Sequence, residues 1–229
     1  LTLVQNGSDK IGGSTVNALV NTEGVAITLI FIDSTQGWLV TDSGLQTDAP
    51  QATYVVATGG TILTVGDFKT HVFTGPGTFT VCSVGNAAGS NTVDYMVVAG
   101  GGGTSSTGDA GAAGGGGGGF RVANSAGCIP APTMSPLVAP ANLPVSAQGY
   151  PITVGAGGTN QPPGTPPSDP RNPGSNSIFS TITSTGGGAS GRTGVGLPGG
   201  SGGGGSQGPT PSSGYAGGAG NTPPVSPPQ

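Results

Sequence analysis

The stretch Val93-Asp94-Tyr95-Met96-Val97-Val98-Ala99-Gly100-Gly101-Gly102-Gly103, followed after a break of small residues by Gly114 to Gly119 and then Phe120-Arg121-Val122, decides how this chain is read. Before Ala99 the residues are those of a twisted β-strand, rich in β-branched and aromatic side chains. After Ala99 glycine takes over and large side chains become rare. A strand that runs straight into glycine implies two kinds of packing in one chain. The first half has side chains enough for a conventional β-core; the second half must pack backbone against backbone.

Composition points to an ordered chain despite its bias. Glycine (49) and proline (21) make up roughly 31 % of the 229 residues, a level at which low-complexity disorder is the usual expectation. Disordered chains, however, are rich in charge, and only 6 % of these residues are charged. So neutral a chain is expected to be ordered within an assembly. The net charge of −4 comes from nine acids and five bases, without a basic run, which argues against binding nucleic acid through its phosphates. No stretch approaches the ~20 apolar residues of a membrane helix, so no membrane insertion is expected. No charged segment precedes an apolar one as in a signal peptide. Leu1-Thr2-Leu3-Val4 reads as the middle of a strand, so an upstream region is expected to precede it.

Residues 1–48 read as an N-terminal β-module. Leu1–Gln5 leads into Asn6-Gly7, the strongest two-residue hairpin cue. Ala26-Ile27-Thr28-Leu29-Ile30-Phe31-Ile32 is an apolar run of strand length, with burial expected on both faces. Trp38 is expected to be a core residue covering the hairpin made with Trp38–Thr41, a ligand platform being the alternative. A polar connection over Asp42–Gln51 ends the module. Residues 49–99 supply β-sandwich-like core strands: Tyr54–Thr58, Ile62–Val65 continuing into Phe68–Thr74, Thr78–Val84 and Val93–Val98. Thr74-Gly75-Pro76-Gly77 and Asn86-Ala87-Ala88-Gly89 are the turns between them. Phe79, Val81, Tyr95 and Val97 share the parity of one inner face.

Residues 100–220 read as a glycine/proline-rich domain packed on that core. Its apolar islands, Phe120–Val122, Leu137–Val138, Tyr150–Val154, Ile178–Ile182 and Val195–Leu197, are expected to return as edge strands. The glycine tracts between them are expected in polyproline-II geometry, with three residues per turn and about 3.1 Å rise; a flexible tail is the alternative. Polyproline-II helices have no internal hydrogen bonds, so each buried amide needs a partner on a neighbouring segment. Valine at Gly116 and Gly117 is therefore expected to disrupt the packing. Residues 221–229 form an extended, exposed C-terminal end. The fold class is all-β: small antiparallel β-modules followed by a glycine-rich domain with polyproline-II-like segments, and no significant helix.

Little in the sequence carries chemistry. Gly199-Gly200-Ser201-Gly202-Gly203 matches G-x-S-x-G formally, but a nucleophile elbow needs a strand before it and a helix after it. Matches to G-x-G-x-x-G lack the βαβ frame of a dinucleotide site. Asp67 and Asp94 come from adjacent strands, yet no pattern pairs them as the two carboxylates of a glycosidase. His71 alternates with apolar neighbours and reads as an outward strand residue rather than a catalytic base. Asn6-Gly7-Ser8 is a glycosylation sequon, though its turn already explains it. Two cysteines and one histidine fall short of the ligand set zinc needs. No catalytic, cofactor or metal residue is assigned, and an enzyme is not expected. Cys82 and Cys128 are the candidate disulfide, with a small buried thiol at Cys82 as the alternative.

The succession Thr58-Gly59-Gly60, Phe68-Lys69-Thr70-His71-Val72-Phe73-Thr74-Gly75-Pro76-Gly77-Thr78-Phe79-Thr80-Val81 and Val93 to Gly103 resembles the glycine-rich domain of bacteriophage tail-fibre and related virion proteins. Tyr150-Pro151-Ile152-Thr153-Val154-Gly155-Ala156-Gly157-Gly158 and Ser177-Ile178-Phe179-Ser180 extend the likeness, which runs from about Tyr54 to Gly220. The amino-terminal part, through Gln5-Asn6-Gly7-Ser8-Asp9-Lys10-Ile11 and Gly37-Trp38, resembles a segment of structural proteins of phages that infect aquatic bacteria. Proline-rich inserts around Pro130–Pro144 and Gln161–Pro173, and the two cysteines, depart from that pattern. The resemblance implies a homotrimeric, extracellular virion appendage, a tail fibre or receptor-binding tip that meets other virion proteins and a host cell-surface glycan or protein. Tyr150 and Tyr215 are candidate receptor contacts by stacking on sugar rings, with packing as the alternative. A purely structural role, as capsid-surface fibre, decoration protein or extracellular filament subunit, is the competing reading.

Overall fold

The computed structural model describes residues 1–45, 52–87, 89–104, 113–124, 137–160, 171–191, 194–207 and 213–229, the side chains of 42–45 excepted. Every regular element among the described residues is a β-strand. The chain divides into two compact units, Leu1–Thr53 with Asn86–Gly89, and Tyr54–Gly85 with Ser90–Gln229. The module boundary expected at 48/49 lies outside the described residues.

In the first unit β1 (Thr2–Leu3) and β2 (Ala18–Leu19) make a short antiparallel pair, and β3 (Val25–Asp33) and β4 (Gly37–Leu45) a long one. Asn6-Gly7 does turn the chain, with Gly7 at φ 63° and the Asp9 N–H on the Asn6 carbonyl at 3.1 Å. The strand after that turn is not the partner of β1, which pairs with Ala18 and Leu19 instead. In the β3–β4 ribbon Leu29 lies opposite Val40, Ile30 opposite Leu39 and Phe31 opposite Trp38. Asp33 closes the turn, its Oδ1 accepting the N–H groups of Thr35 at 2.7 Å and Gln36 at 2.6 Å. Ile30, Phe31, Ile32, Trp38 and Val40 are 40–53 % exposed, so the burial expected on both faces is not supplied by this unit. Trp38 is likewise no core residue; it stands edge-on to Phe31 with ring centroids 5.5 Å apart.

The second unit has a side-chain core. Its strands are β5 (Val56–Thr58), β6 (Thr61–Val65), β7 (Phe68–Val72), β8 (Gly77–Ser83), β9 (Thr92–Val93), β10 (Tyr95–Val98), β11 (Phe120–Ala123), β12 (Leu143–Pro144), β13 (Gly149–Thr153), β14 (Ser177–Phe179) and β15 (Ile182–Ser184). Five of them form an antiparallel sheet in the order β15-β14-β13-β8-β5, and β6–β7, β9–β12 and β10–β11 are separate antiparallel pairs. Three apolar islands thus return to the β-core, but β13 lies inside the sheet between β8 and β14 rather than at its edge. Val195–Leu197 joins no strand. Phe79 and Val81 pack with Val145 and Tyr150, while Tyr95 and Val97 pack with Ala123; Leu143 and Phe179 touch both clusters. The four residues are buried as their parity predicts, but in two clusters on separate sheets rather than on one inner face. Each such side chain contributes ~1.5–3 kcal/mol by burial.

His71 departs from its expected outward position. It is half-buried, edge-on to Phe79 at 5.1 Å, with Nδ1 donating to the Gly59 carbonyl at 2.8 Å. The cause is the Gly59-Gly60 turn, whose φ values of 105° and 65° suit glycine alone. A Cβ on Gly60 would also press on the Phe73 ring at 3.1 Å.

Beyond the strands, eight extended tracts, 99–104, 113–119, 154–160, 171–176, 185–191, 194–199, 200–206 and 213–222, bond to one another through their backbones. No described backbone bond joins two residues of one tract. Partners recur at every third residue. Ala99 and Gly102 donate to Gly119 and Gly116, Gly100 and Gly103 to Ser175 and Asn172, and Tyr215, Gly218 and Asn221 to Ser206, Gly203 and Gly200. A three-residue repeat without internal bonds is that of the polyproline-II helix, whose successive peptide groups point to different neighbours. Parallel neighbours rise together, as when Gly187 and Ser190 donate to Gly100 and Gly103; antiparallel neighbours run opposed.

Glycine serves this lattice through its missing Cβ, since none of the lattice glycines holds a left-handed φ. A Cβ at Gly100, Gly116, Gly174, Gly186, Gly187 or Gly188 would stand 1.9–2.2 Å from a neighbouring carbonyl oxygen. Residues 186–191 are buried throughout and form the centre of the lattice. On an outer tract one position in three is open. A Cβ at Gly114 meets nothing within 4 Å, and one at Gly117 meets only the Ser201 Oγ at 3.8 Å. The structure therefore supports intolerance at Gly116 and corrects the expectation for Gly117, which faces outward one residue further round the turn.

The C-terminal end is tied back rather than free. Gln229 Oε1 accepts the Thr185 N–H at 2.7 Å, and its Nε2 donates to Thr185 Oγ1 at 2.9 Å. Gly187→Val is expected to abolish cooperative unfolding, because the overlap exceeds the ~1–3 kcal/mol of ordinary overpacking in a fold worth about 5–15 kcal/mol. Gly117→Val is expected to change stability by less than ~0.5 kcal/mol. Circular dichroism melts check the pair; equal melting would contradict a lattice held by close backbone approach.

Candidate functional site

Alternating tract direction brings one end of every tract to the side of the lattice remote from the sheets. Tracts 99–104, 154–160 and 185–191 leave β10, β13 and β15 and run outward, as does 200–206 after the turn at Pro198–Ser201. Tracts 113–119, 171–176, 194–199 and 213–222 run back. Thr104 and Ala113, Asn160 and Arg171, Gly191 and Gly194, and Gln207 and Ser213 therefore all lie at the end remote from the sheets.

Side chains reappear at this end because the outermost amides run out of neighbouring backbone, and polar side chains replace it. Asn160 Oδ1 accepts the Thr104 N–H at 3.1 Å. Asn172 Nδ2 donates to Thr159 Oγ1 at 2.8 Å and to the Thr159 carbonyl at 3.3 Å. The Arg171 guanidinium donates to the Val195 carbonyl, binding two further tracts. Tyr215 donates its N–H to the Ser206 carbonyl at 2.9 Å and leaves its residue surface 42 % exposed. Sequence reading missed Asn160, Arg171 and Asn172. The signal for them is a polar side chain at the boundary of a glycine tract, where a side-chain amide or guanidinium can cap what the backbone leaves open.

The two tyrosines proposed from the sequence part company. Tyr215 is exposed at the remote end, whereas Tyr150 is only 8 % exposed. Tyr150 lies opposite Phe79 in the sheet, packs against Phe179 at 6.1 Å, and takes the Ser146 N–H on its hydroxyl at 2.8 Å. Its ring has no free face for a sugar, and the packing alternative is the observed one. Cys82 is exposed, its Sγ 3.9 Å from the Thr80 carbonyl oxygen. The buried-thiol alternative fails because Phe79 and Val81 hold the inner parity of β8. Cys128, and with it the Cys82–Cys128 pairing, lies outside the described residues. Ser201 sits within a tract, its N–H on the Gly117 carbonyl and its carbonyl accepting from Gly188, so neither strand nor helix frames it. Among the described residues no group of three or more His, Cys, Asp or Glu could hold a metal ion, and no helix is long and apolar enough to cross a membrane.

A β-core that carries a lattice of side-chain-poor extended tracts defines the class: an all-β protein cohering through backbone hydrogen bonds. The chain belongs to the glycine-rich domain family, whose match covers residues 74–226. No curated protein and no solved structure matches it.

Two tyrosines offer a pH test of the core. Burial raises the pKa of Tyr95 against the opposing pull of Arg121. Hydrogen bonds from Gln148, then Ser146, lower that of Tyr150. The stability tied to Tyr95 is complete below its unfolded value of about 10 and is lost as pH rises through the folded value. That tied to Tyr150 is present above the unfolded value and is lost as pH falls through the folded one. Above pH ~10 the melting temperature should therefore fall less in Tyr95→Phe, and more in Tyr150→Phe, than in the unsubstituted chain. Spectrophotometric titration should show Tyr150 ionising before Tyr95.

Proposed function

We propose that this protein is a non-enzymatic phage virion fibre protein, a tail fibre or receptor-binding tip, that attaches the virion to a glycan or protein of the host cell surface. The observation that carries this reading is the gathering of the tract ends, with Tyr215 exposed among them, on the side of the lattice remote from the sheets. Residues at the edge of a rigid scaffold can vary without disturbing the fold, which suits a recognition surface. The resemblance of the glycine-rich motifs to those of virion fibres supports it. Tyr215 offers an aromatic face to a sugar ring, and Arg171 and Asn160 add polar groups to the same end of the lattice. In a homotrimer, weak contacts of this kind reinforce one another through effective concentration.

Retention of the labelled chain on host cells or their envelope glycan tests the proposal. Tyr215→Ser should lower apparent affinity by about tenfold or more through lost avidity, with melting unchanged because the residue is exposed. Tyr150→Phe should leave retention unaltered. If neither Tyr215→Ser nor Arg171→Ala weakens retention, the remote end is not the contact. A chain that ignores cells and coats capsids or itself would favour the decoration or filament role.

A further inference from the structure

We infer that residues 221–229 form a latch that closes on a carboxamide seat at the start of the central tract, with Gln229 as its fastening. The latch lies at the sheet-side end of the lattice, away from Tyr215, and does not depend on the attachment reading. Two residues build the seat. Thr185 presents its N–H to Gln229 Oε1 at 2.7 Å and its Oγ1 to Nε2 at 2.9 Å, so one side-chain amide is read at both its acceptor and its donor. Gly119 leaves the room: a Cβ there would stand 2.5 Å from Gln229 Oε1 and 3.0 Å from its Cδ. Further along the central tract Gly187, Gly188, Ser190 and Gly191 donate to backbone carbonyls of neighbouring tracts. At Thr185 the glutamine carboxamide, which carries the same C=O and N–H groups as a peptide, stands in that place.

Three features make the segment a latch rather than a fixed part of the lattice. It has a firm root: Asn221 and Thr222 donate their N–H groups to the Gly200 and Gly199 carbonyls at 2.8 and 3.0 Å. Past the root it is fastened at one point. Four of the seven residues 223–229 are proline, which has no N–H to give, and among the described residues no backbone bond joins 223–229 to any other part of the chain. The loop holds its own form instead, Asn221 at φ 47° taking the Val225 N–H on Oδ1 at 3.1 Å and donating Nδ2 to the Val225 carbonyl at 3.2 Å. Thirdly, Thr185 and Gln229 are only half-buried, so water replaces the tip when it leaves and no amide is orphaned in a dry interior. Few bonds and partial exposure are the marks of a segment that opens locally, well below the free energy of global unfolding. The seat sits at a junction. The Thr185 carbonyl accepts the Gly119 N–H at 2.7 Å, and the Gly186 carbonyl accepts that of Gly200 at 2.9 Å. The closed latch thus ties tracts 113–119, 185–191 and 200–206 together where the central tract leaves β15.

Native-state hydrogen exchange of the full chain, read amide by amide by NMR and corrected for intrinsic rates, tests the latch. In the unsubstituted chain Thr185 should exchange slowly, yet faster than Gly187 and Gly188. Gln229→Leu, which removes both the acceptor and the donor, should speed exchange at Thr185 by about tenfold, as the loss of one or two hydrogen bonds predicts, and leave Gly187 and Gly188 unchanged. Thr185→Val keeps the N–H and loses only Oγ1, so exchange at residue 185 should rise less, by about threefold. Added to Gln229→Leu, Thr185→Val should have no further effect, because Oγ1 acts on the latch only through Gln229. Equal exchange at Thr185 in Gln229→Leu and the unsubstituted chain overturns the inference. So does an acceleration at Gly187 and Gly188 that matches the one at Thr185, which would make 221–229 a fixed part of the fold. Additive effects of the two substitutions would likewise remove the seat.

Discussion

A buried peptide group without a hydrogen-bond partner costs about 1–3 kcal/mol, and an extended glycine tract makes no bonds of its own. Everything in the second unit follows from that constraint. A lone tract would leave its amides orphaned, so each must be surrounded, and the three-residue turn determines how many neighbours it addresses. The 185–191 tract shows the limit: it donates to or accepts from tracts 99–104, 113–119, 171–176, 194–199 and 200–206. It has no room for a Cβ at Gly186, Gly187 or Gly188. Cohesion here resides in amides held at bonding distance, with dispersion between backbones in place of side-chain burial. The conformational entropy lost by so many glycines is large, and a β-core that holds one end of five of the eight tracts reduces what remains to be ordered.

That division of labour bears on function. Among the described residues the sheets take all the buried aromatic side chains, Phe79, Tyr95 and Tyr150. The lattice transmits their order outward without side chains of its own, and polar side chains return only where tracts end. Asn160, Arg171 and Asn172 therefore act as caps for the lattice as well as members of the remote end. The remote end therefore has a stiff base whose backbone hydrogen bonds are closed among themselves, and its side-chain chemistry is that of the capping residues and of Tyr215.

The failures of sequence reading have identifiable causes. Parity assigned Phe79, Val81, Tyr95 and Val97 to the inside, because alternation survives any arrangement of strands. Tyr150 was open to two readings, and strand order settled it by setting Tyr150 opposite Phe79. His71 obeys a turn rather than its strand's alternation, since Gly59 directs a carbonyl at its ring. Ile30 to Ile32 and Trp38 are apolar enough for a core, yet the first unit closes none around them; hydrophobicity states a demand for burial without naming what meets it. Gly116 and Gly117 are the same residue type in one tract and differ only in which side of a three-residue turn they occupy.

The sequence by itself determined the all-β character, the strand positions around the core, the change from side-chain to backbone packing at Ala99, and the polyproline-II form of the tracts. These are properties of local composition and period, so they can be read locally. Only the folded arrangement settles which tract lies beside which, where a Cβ is tolerated, that the tract ends gather on one side, and which tyrosine is exposed. Those depend on distances between residues far apart in the chain, and a run of glycine, being the same at every position, carries no record of its neighbours.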